Sequence, residues 1–300
     1  MSNIITSVDL GSNSFRVLMY DFTQDKPVGD FETAVGTADG LKQTGNISNE
    51  ALERILAAID LSIQKLNYNP TNTIAVTTSA MRQAKNSQYI LDTIANKTGI
   101  KFSIISGDKE AKLTLLGLQY ALKKQNFNHK DLILVDIGGG STELVFVKDE
   151  QAIYKSFELG IVTLTQSDNK EEVLNEFKQS IKEYITTLPF DIKELNIVAT
   201  SGTPTTIAAL KNGLNYTTYN KNIINGEKVY LGDLEYYAKY LTRIPIEEAQ
   251  SLTGTNRVQF IGSGIEIFNL IYKILEKDYS IVFDEGLREG VVVDAFLNQQ

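Results

Sequence analysis

The segment "VDIGGGSTE" (135–143) restates an earlier one, "VDLGSNSFR" (8–16): a β-branched residue, Asp, an apolar residue, Gly, then small polar residues. The two aspartates, Asp9 and Asp136, stand 127 positions apart (136 − 9). Their surroundings repeat as well. "FRVLMYDF" follows the first turn and "TELVFVKD" the second, both of strand character, so each Gly/Ser turn is read as joining the two strands of a hairpin.

Farther out, a third strand is expected at "FETAVG" from Phe31 and at "FELGIV" from Phe157, an offset of 126 (157 − 31). Apolar residues spaced by three and four predict helices over 49–66 and 171–188. Buried strands follow at "IAVTTSA" from Ile74 and "NIVATSG" from Asn196, where Val76 and Val198 differ by 122 (198 − 76). Elements recurring in one order at a nearly constant offset imply a duplicated α/β domain, each copy a hairpin, strand, helix, strand and helix around a mixed sheet. The order resembles the actin, hexokinase and heat-shock-chaperone ATPase architecture (actin-like, ribonuclease H-like), in which two related domains hold phosphates between paired turns. The boundary is placed near His129, giving domains 1–128 and 129–286. A last helix within 287–300 is expected to pack back on the first domain.

The composition, 42% hydrophobic and 22% charged, is that of a soluble globular protein, and no apolar run is read as approaching the roughly 18 residues of a membrane span. "MSNIITSVDL" lacks a basic segment followed by an apolar stretch, so a cytoplasmic location is expected. The absence of cysteine excludes disulfides and thiolate metal sites. The single histidine, His129, lies in the polar connector "NFNHKDL", which leaves acid–base chemistry near neutral pH to carboxylates, Lys or Tyr. A net charge of −8 argues against a nucleic-acid-binding surface, and a polyanionic substrate would need a local site of backbone N–H groups, a metal ion and a few arginines.

"DIGGGST" is no dinucleotide fingerprint, because a strand follows it, and no Gly-Lys-Ser/Thr makes it a P-loop. Its small residues, Gly138, Gly139, Gly140, Ser141 and Thr142, let N–H groups converge on an anion, and so do Gly11, Ser12, Asn13 and Ser14 in the first copy. A plain hairpin turn is the alternative. Asp136 at a strand end can hold a metal or its waters, and Glu143, just past the turn, is either an exposed strand residue or the second of the one or two carboxylates that Mg²⁺ takes alongside water and substrate oxygens. Glu110, in the first turn of the helix opened by "SGDKEA", is either a carboxylate favoured by the helix dipole or the leading candidate for general base. "TSGTPTT" carries Gly202 and Thr203 into a helix N-terminus, which is an anion site or an ordinary cap. Arg82 in "TTSAMRQA" reaches a phosphate or covers the surface. The Asn- and Tyr-rich stretch 214–241 is read as a loop and strand leading into an amphipathic helix, with stacking on a base as the alternative.

Seven segments, "DLGSNSFR", "TTSAMR", "SGDKEA", "DIGGGSTEL", "ELGIV", "TSGTPTTIA" and "DEGLREG", stand in the order and spacing of the exopolyphosphatase and guanosine pentaphosphate phosphatase family, which the chain resembles from about Thr6 to Val293. The resemblance implies Mg²⁺-dependent hydrolysis of a terminal phosphoanhydride. It makes Glu110 the catalytic base, Asp136, Glu143 and Asp9 the metal carboxylates, and Arg82, Arg257 and Arg288 similar to phosphate ligands, with a structural role for Arg288 as the alternative. Arg16 is grouped with the first turn as a substrate contact. The position before Glu110, acidic in many members, is Lys109 here, and larger members carry a further C-terminal helical region. Inorganic polyphosphate is the first substrate expected and guanosine pentaphosphate the second, with shorter chains or the nucleotide preferred. Rival readings are a sugar or acid kinase of the same architecture and a non-catalytic alarmone or polyphosphate sensor. A homodimer is the oligomer expected from how common such assemblies are.

Overall fold

The computed structural model describes residues 3–255 and 257–299. Its first elements are β1 (Ile4–Leu10), β2 (Ser14–Asp21), β3 (Lys26–Ala34), α1 (Leu41–Thr44), α2 (Asn49–Leu66), β4 (Ile74–Thr77), α3 (Ser79–Gln83), α4 (Ser87–Thr98), β5 (Phe102–Ile104) and α5 (Gly107–Lys124). There follow β6 (Leu132–Ile137), β7 (Thr142–Lys148), β8 (Gln151–Phe157), α6 (Ile161–Thr165), α7 (Lys170–Ile185), β9 (Asn196–Thr200) and α8 (Gly202–Lys211). The remainder is α9 (Lys221–Ile224), β10 (Lys228–Tyr230), α10 (Leu231–Arg243), α11 (Ile246–Thr253), α12 (Val258–Leu275), β11 (Tyr279–Val282) and α13 (Leu287–Leu297). The chain divides into two compact units, Met1–Ala121 with Gly286–Gln300, and Leu122–Glu285.

The first unit has a five-stranded sheet in the order β3-β2-β1-β4-β5, its hairpin strands antiparallel and β1, β4 and β5 parallel. The second repeats that pattern as β8-β7-β6-β9-β11, with β10 added antiparallel at the edge. Two mixed sheets of the same strand order and sense are the structural form of the sequence repeat.

Helix boundaries follow local chemistry. Ser48 caps α2 by accepting from the Ala51 N–H, and Asn67 closes it in the left-handed conformation that Asn tolerates. Between these ends the residues Leu52, Ile55 and Ile59 form one buried face.

Two expectations are corrected. The third strand of the second unit ends at Phe157 instead of starting there, and "FELGIV" is its exit and the start of α6. Asp149 and Glu150, at φ 50° and 66°, make a two-residue turn that sets Lys148 directly opposite Gln151. In the first unit likewise, β3 begins at Lys26, and "FETAVG" supplies only its last part. Second, α12 is an 18-residue helix long and apolar enough to cross a membrane by length and composition. More than half of it is buried, with Ile261, Ile265, Phe268 and Ile271 packed into the core of the second unit, as in a core helix.

In the first unit, α5 and α13 cross at almost direct backbone contact. A Cβ on Gly290 would lie 1.8 Å from the Leu113 carbonyl oxygen, and one on Gly117 would lie 2.6 Å from the Gly290 nitrogen. Val76, Leu113, Leu287 and Val291 form the apolar cluster around this crossing, each side chain worth about 1.5–3 kcal/mol by burial. Ser7 Oγ donates to the Arg288 carbonyl at 2.9 Å, which ties α13 to β1. The helix that carries Glu110 is thereby fixed against the strand that carries Asp9.

Candidate active site

The two Gly/Ser turns are closed by the same bond. Gly11 N–H donates to Ser14 O at 2.9 Å, and Gly138 N–H donates to Ser141 O at 2.9 Å. Each turn is buttressed by the segment that follows the third strand. Ser12 O accepts from Ala38 N–H, and Asn13 O accepts from Val35 and Gly36. In the second copy Gly138 O and Gly139 O accept from Ile161 and Val162 at the start of α6. Gly160 makes that approach feasible, since a Cβ there would fall 2.5 Å from Gly138 O and from Gly139. Gly139 and Gly140 complete this turn, as Ser12 and Asn13 do the first.

The hairpins align a row of side chains across each sheet. In the first unit Asp9 lies opposite Arg16 and Arg16 opposite Glu32, with Arg16 Nε 3.4 Å from Glu32 Oε1. In the second unit Asp136 lies opposite Glu143 and Glu143 opposite Ser156, whose hydroxyl donates to Glu143 Oε1 at 2.8 Å. The position of Arg16 is thus occupied by Glu143 in the second copy. One row brings its own cation, whereas the other sets two carboxylates side by side, with Glu143 only 1% exposed. Hard oxygen donors in that number suit Mg²⁺, which fills its remaining positions with water and phosphate oxygens. Among the described residues no three His, Cys, Asp or Glu side chains gather as a metal site, so the ion would draw on those two and on substrate.

Other candidates of the second unit divide by what their side chains touch. Thr142 donates to Leu159 O at 2.6 Å and is fully buried, so its hydroxyl braces the hairpin. Thr203 is also buried, its Oγ1 filling the space where Gly264 of α12 has no side chain. Gly202 opens α8, and a Cβ added there would meet open space. Arg257 precedes α12 with its guanidinium 5.8 Å above the Tyr216 ring. Sequence reading passed over a partly buried cluster in which Lys221 Nζ contacts both Glu285 oxygens at 3.2 and 3.3 Å and Asn225 donates to Glu285 Oε1 at 3.3 Å. It also passed over Ser156 and Ser201. The register would have found Ser156: once Lys148 and Gln151 are recognised as flanking a two-residue turn, Glu143 must face it.

In the first unit Glu110 lies in the first turn of α5, its N–H donating to Ser106 O. Its Oε2 is 2.9 Å from Arg82 Nη1, and the same nitrogen donates to Ile105 O at 2.8 Å. Arg82 comes from α3, directly after β4, so the strand next to Asp9 delivers the cation to the carboxylate. Asp9 is 6% exposed at the end of β1. Lys109 turns toward α13 and meets Asp294 at 3.3 Å. Arg288 has a structural post: it bonds Asp30 at 2.7 Å and Glu289 at 3.0 Å while itself buried. His129 lies in the connector, Nδ1 3.3 Å from Phe127 O.

Residues 26–299 match the model of the Ppx/GppA phosphatase family. A bifunctional 3-dehydroquinate synthase/phosphatase of Fusobacterium nucleatum is 28% identical over 98% of this chain and 46% of its own length. A guanosine-5'-triphosphate,3'-diphosphate pyrophosphatase of Vibrio parahaemolyticus is 28% identical over 98% of the chain and 59% of its own length. The chain therefore spans about half the length of these relatives. Among solved structures, the Ppx/GppA family member of Aquifex aeolicus superposes with a TM-score of 0.76 at 27% identity, covering 100% of this chain and 99% of its own.

Proposed function

The chain belongs to the Ppx/GppA phosphatase family, and from that membership we propose that it is a phosphohydrolase releasing the terminal orthophosphate of a phosphoanhydride chain. The observation that carries this reading is the divergence of the duplicated row, Asp9–Arg16–Glu32 in one unit and Asp136–Glu143–Ser156 in the other. A repeat kept for folding alone has no need to exchange a cation for a second buried carboxylate, which costs desolvation unless a cation arrives.

Mg²⁺, held by Asp136 and Glu143, would supply charge neutralisation to the terminal phosphates. The residues of the chain do the rest. The small-residue turns at Gly11–Ser14 and Gly138–Ser141 and the start of α8 offer N–H groups to phosphate oxygens. Glu110 orients a water and takes its proton. Arg82 holds the Glu110 carboxylate in one orientation, and with substrate present its remaining guanidinium N–H groups serve the transferring phosphoryl. Such catalysis depends chiefly on positioning and electrostatics, so a site without a nearby histidine is chemically sufficient.

Inorganic polyphosphate and guanosine pentaphosphate carry the same terminal chemistry. The names of the relatives support the nucleotide, and the −8 net charge supports a substrate bound by a local site over one held along an extended surface. Orthophosphate release from short polyphosphate, long polyphosphate, guanosine pentaphosphate and ATP, with and without Mg²⁺, tests the reading. Metal-dependent release abolished in Glu110→Gln supports it. Transfer from ATP to an acceptor, or tight binding without turnover, replaces it by the kinase or the sensor.

A further inference from the structure

Between β9 and α8, Ser201 has φ 74° and ψ −175°, a backbone region that is essentially reserved for glycine. Its side chain does not cap α8. Its Oγ instead accepts from the Ile137 N–H at 3.2 Å and donates to the Ile137 carbonyl at 2.8 Å. The parallel ladder of β6 and β9 ends one residue earlier, where Asp136 lies opposite Thr200. A single hydroxyl thus provides the next rung for both polar groups of Ile137. The Ser201 backbone is released from the sheet and turns into α8, where Gly202 and Thr203 lead and Pro204 has no N–H to satisfy.

Ile137 is the link between Asp136, the first carboxylate of the row, and Gly138, whose N–H closes the turn. The Ile137 N–H belongs to the peptide that leaves Asp136 and the Ile137 carbonyl to the peptide that enters Gly138, so the one hydroxyl restrains the two successive peptide planes that join the carboxylate to the turn. Glycine would adopt the Ser201 backbone without penalty, so what serine adds at this position is the pair of bonds to Ile137.

We infer that Ser201 is a positioning residue: its hydroxyl restrains the peptide planes on both sides of Ile137 and so fixes the Asp136 carboxylate relative to the Gly138–Ser141 turn. The inference rests on the hydrolase reading above. The strain at Ser201 accompanies this restraint: leaving the strand path of β9, its Oγ reaches the end of the neighbouring strand β6.

Ser201→Gly and Ser201→Ala separate the lock from the fold. Glycine relieves the backbone and removes the hydroxyl, whereas alanine removes the hydroxyl and keeps the strain, so the glycine variant melts at or above the temperature of the alanine variant. Amide hydrogen exchange of a peptide covering 134–141 should accelerate about tenfold or more in both. Turnover should fall about 10²-fold in both, with KM nearly constant, because displacing a reacting group by about 1 Å costs that much. Unchanged exchange, wild-type turnover in Ser201→Gly, or losses that follow melting temperature would each overturn the inference. If the unaltered protein released no phosphate from polyphosphate or guanosine pentaphosphate, the hydrolase reading would fail and with it any catalytic role for the lock. The exchange rates would still decide whether Ser201 restrains the turn.

Discussion

Arg82 Nη1 and Glu110 Oε2 lie 2.9 Å apart, so the candidate base is held by the first arginine after the strand that neighbours Asp9. The pair is largely buried, and the same nitrogen also bonds Ile105 O at the entry to α5. Glu110→Gln keeps an oxygen for Arg82 and loses only the ability to take a proton. Turnover should drop by about 10² to 10⁴ with little change in melting temperature. The fall of kcat/KM at acid pH, where a carboxylate base becomes protonated, should be absent from the residual activity. A variant with near-normal turnover and an unaltered acid limb would remove Glu110 from the role.

Replacement of a cation by a carboxylate between the two rows predicts opposite responses to metal. Glu143→Gln should raise the Mg²⁺ concentration needed for half-maximal rate by about tenfold or more, since one of the two carboxylates proposed to hold the ion loses its charge. Arg16→Gln should leave that concentration unchanged and act on KM. Direct Mn²⁺ titration of both variants supplies the same comparison without turnover. Equal metal responses would mean that the second row is not the metal site.

Much of this is legible in the amino-acid sequence. The repeat, the helix from Asn49 to Leu66 and the last helix from Leu287 to Leu297 follow from spacing, because amphipathic periodicity is a local signal. The start of the third strands was not legible. Asp149–Glu150 reverses the chain without the glycine that usually marks a two-residue turn, so Gln151–Phe157 was passed over and Ser156 with it. Nor could sequence reveal that Arg82 touches Glu110, 28 residues later, or that Arg288 is spent on Asp30, since both contacts depend on how separate elements pack. Ser201 escaped for another reason: a serine before glycine reads as a helix cap, and only its φ shows the side chain turned away from the helix.

The α5–α13 crossing ties stability to catalysis. Gly290→Ala places a Cβ 1.8 Å from the Leu113 carbonyl, backbone that can yield only if the helices separate. A loss of about 1–3 kcal/mol or more is expected, with reduced turnover because α5 carries Glu110. Gly262→Ala is the matched opposite. That glycine is exposed inside α12 with nothing near a Cβ, so alanine should stabilise by up to about 1 kcal/mol and leave activity alone. Urea midpoints for the two variants should therefore move in opposite directions, and a shift in the same direction would refute the crossing as the cause.

Asp25 accepts hydrogen bonds from two phenols, Tyr20 at 2.7 Å and Tyr120 at 2.5 Å, against the stacked rings of Phe22 and Phe296. Burial, then the hydrogen bond to Asp25 and its negative charge, pushes the Tyr120 hydroxyl up to about 12, and the same causes raise Tyr20. In the unfolded chain a tyrosine loses its proton near pH 10. Between those values the folded state binds the extra proton, so unfolding becomes easier as pH rises, and the stability present below pH 10 drains away toward pH 12. Tyr120→Phe should be less stable than the parent at pH 8 yet lose less between pH 8 and pH 11, by up to about 1 kcal/mol once solvent screening of this partly exposed group is allowed for. Urea unfolding at the two pH values checks it: identical losses in parent and variant would show that the pair contributes nothing to the alkaline limb, whatever its geometry.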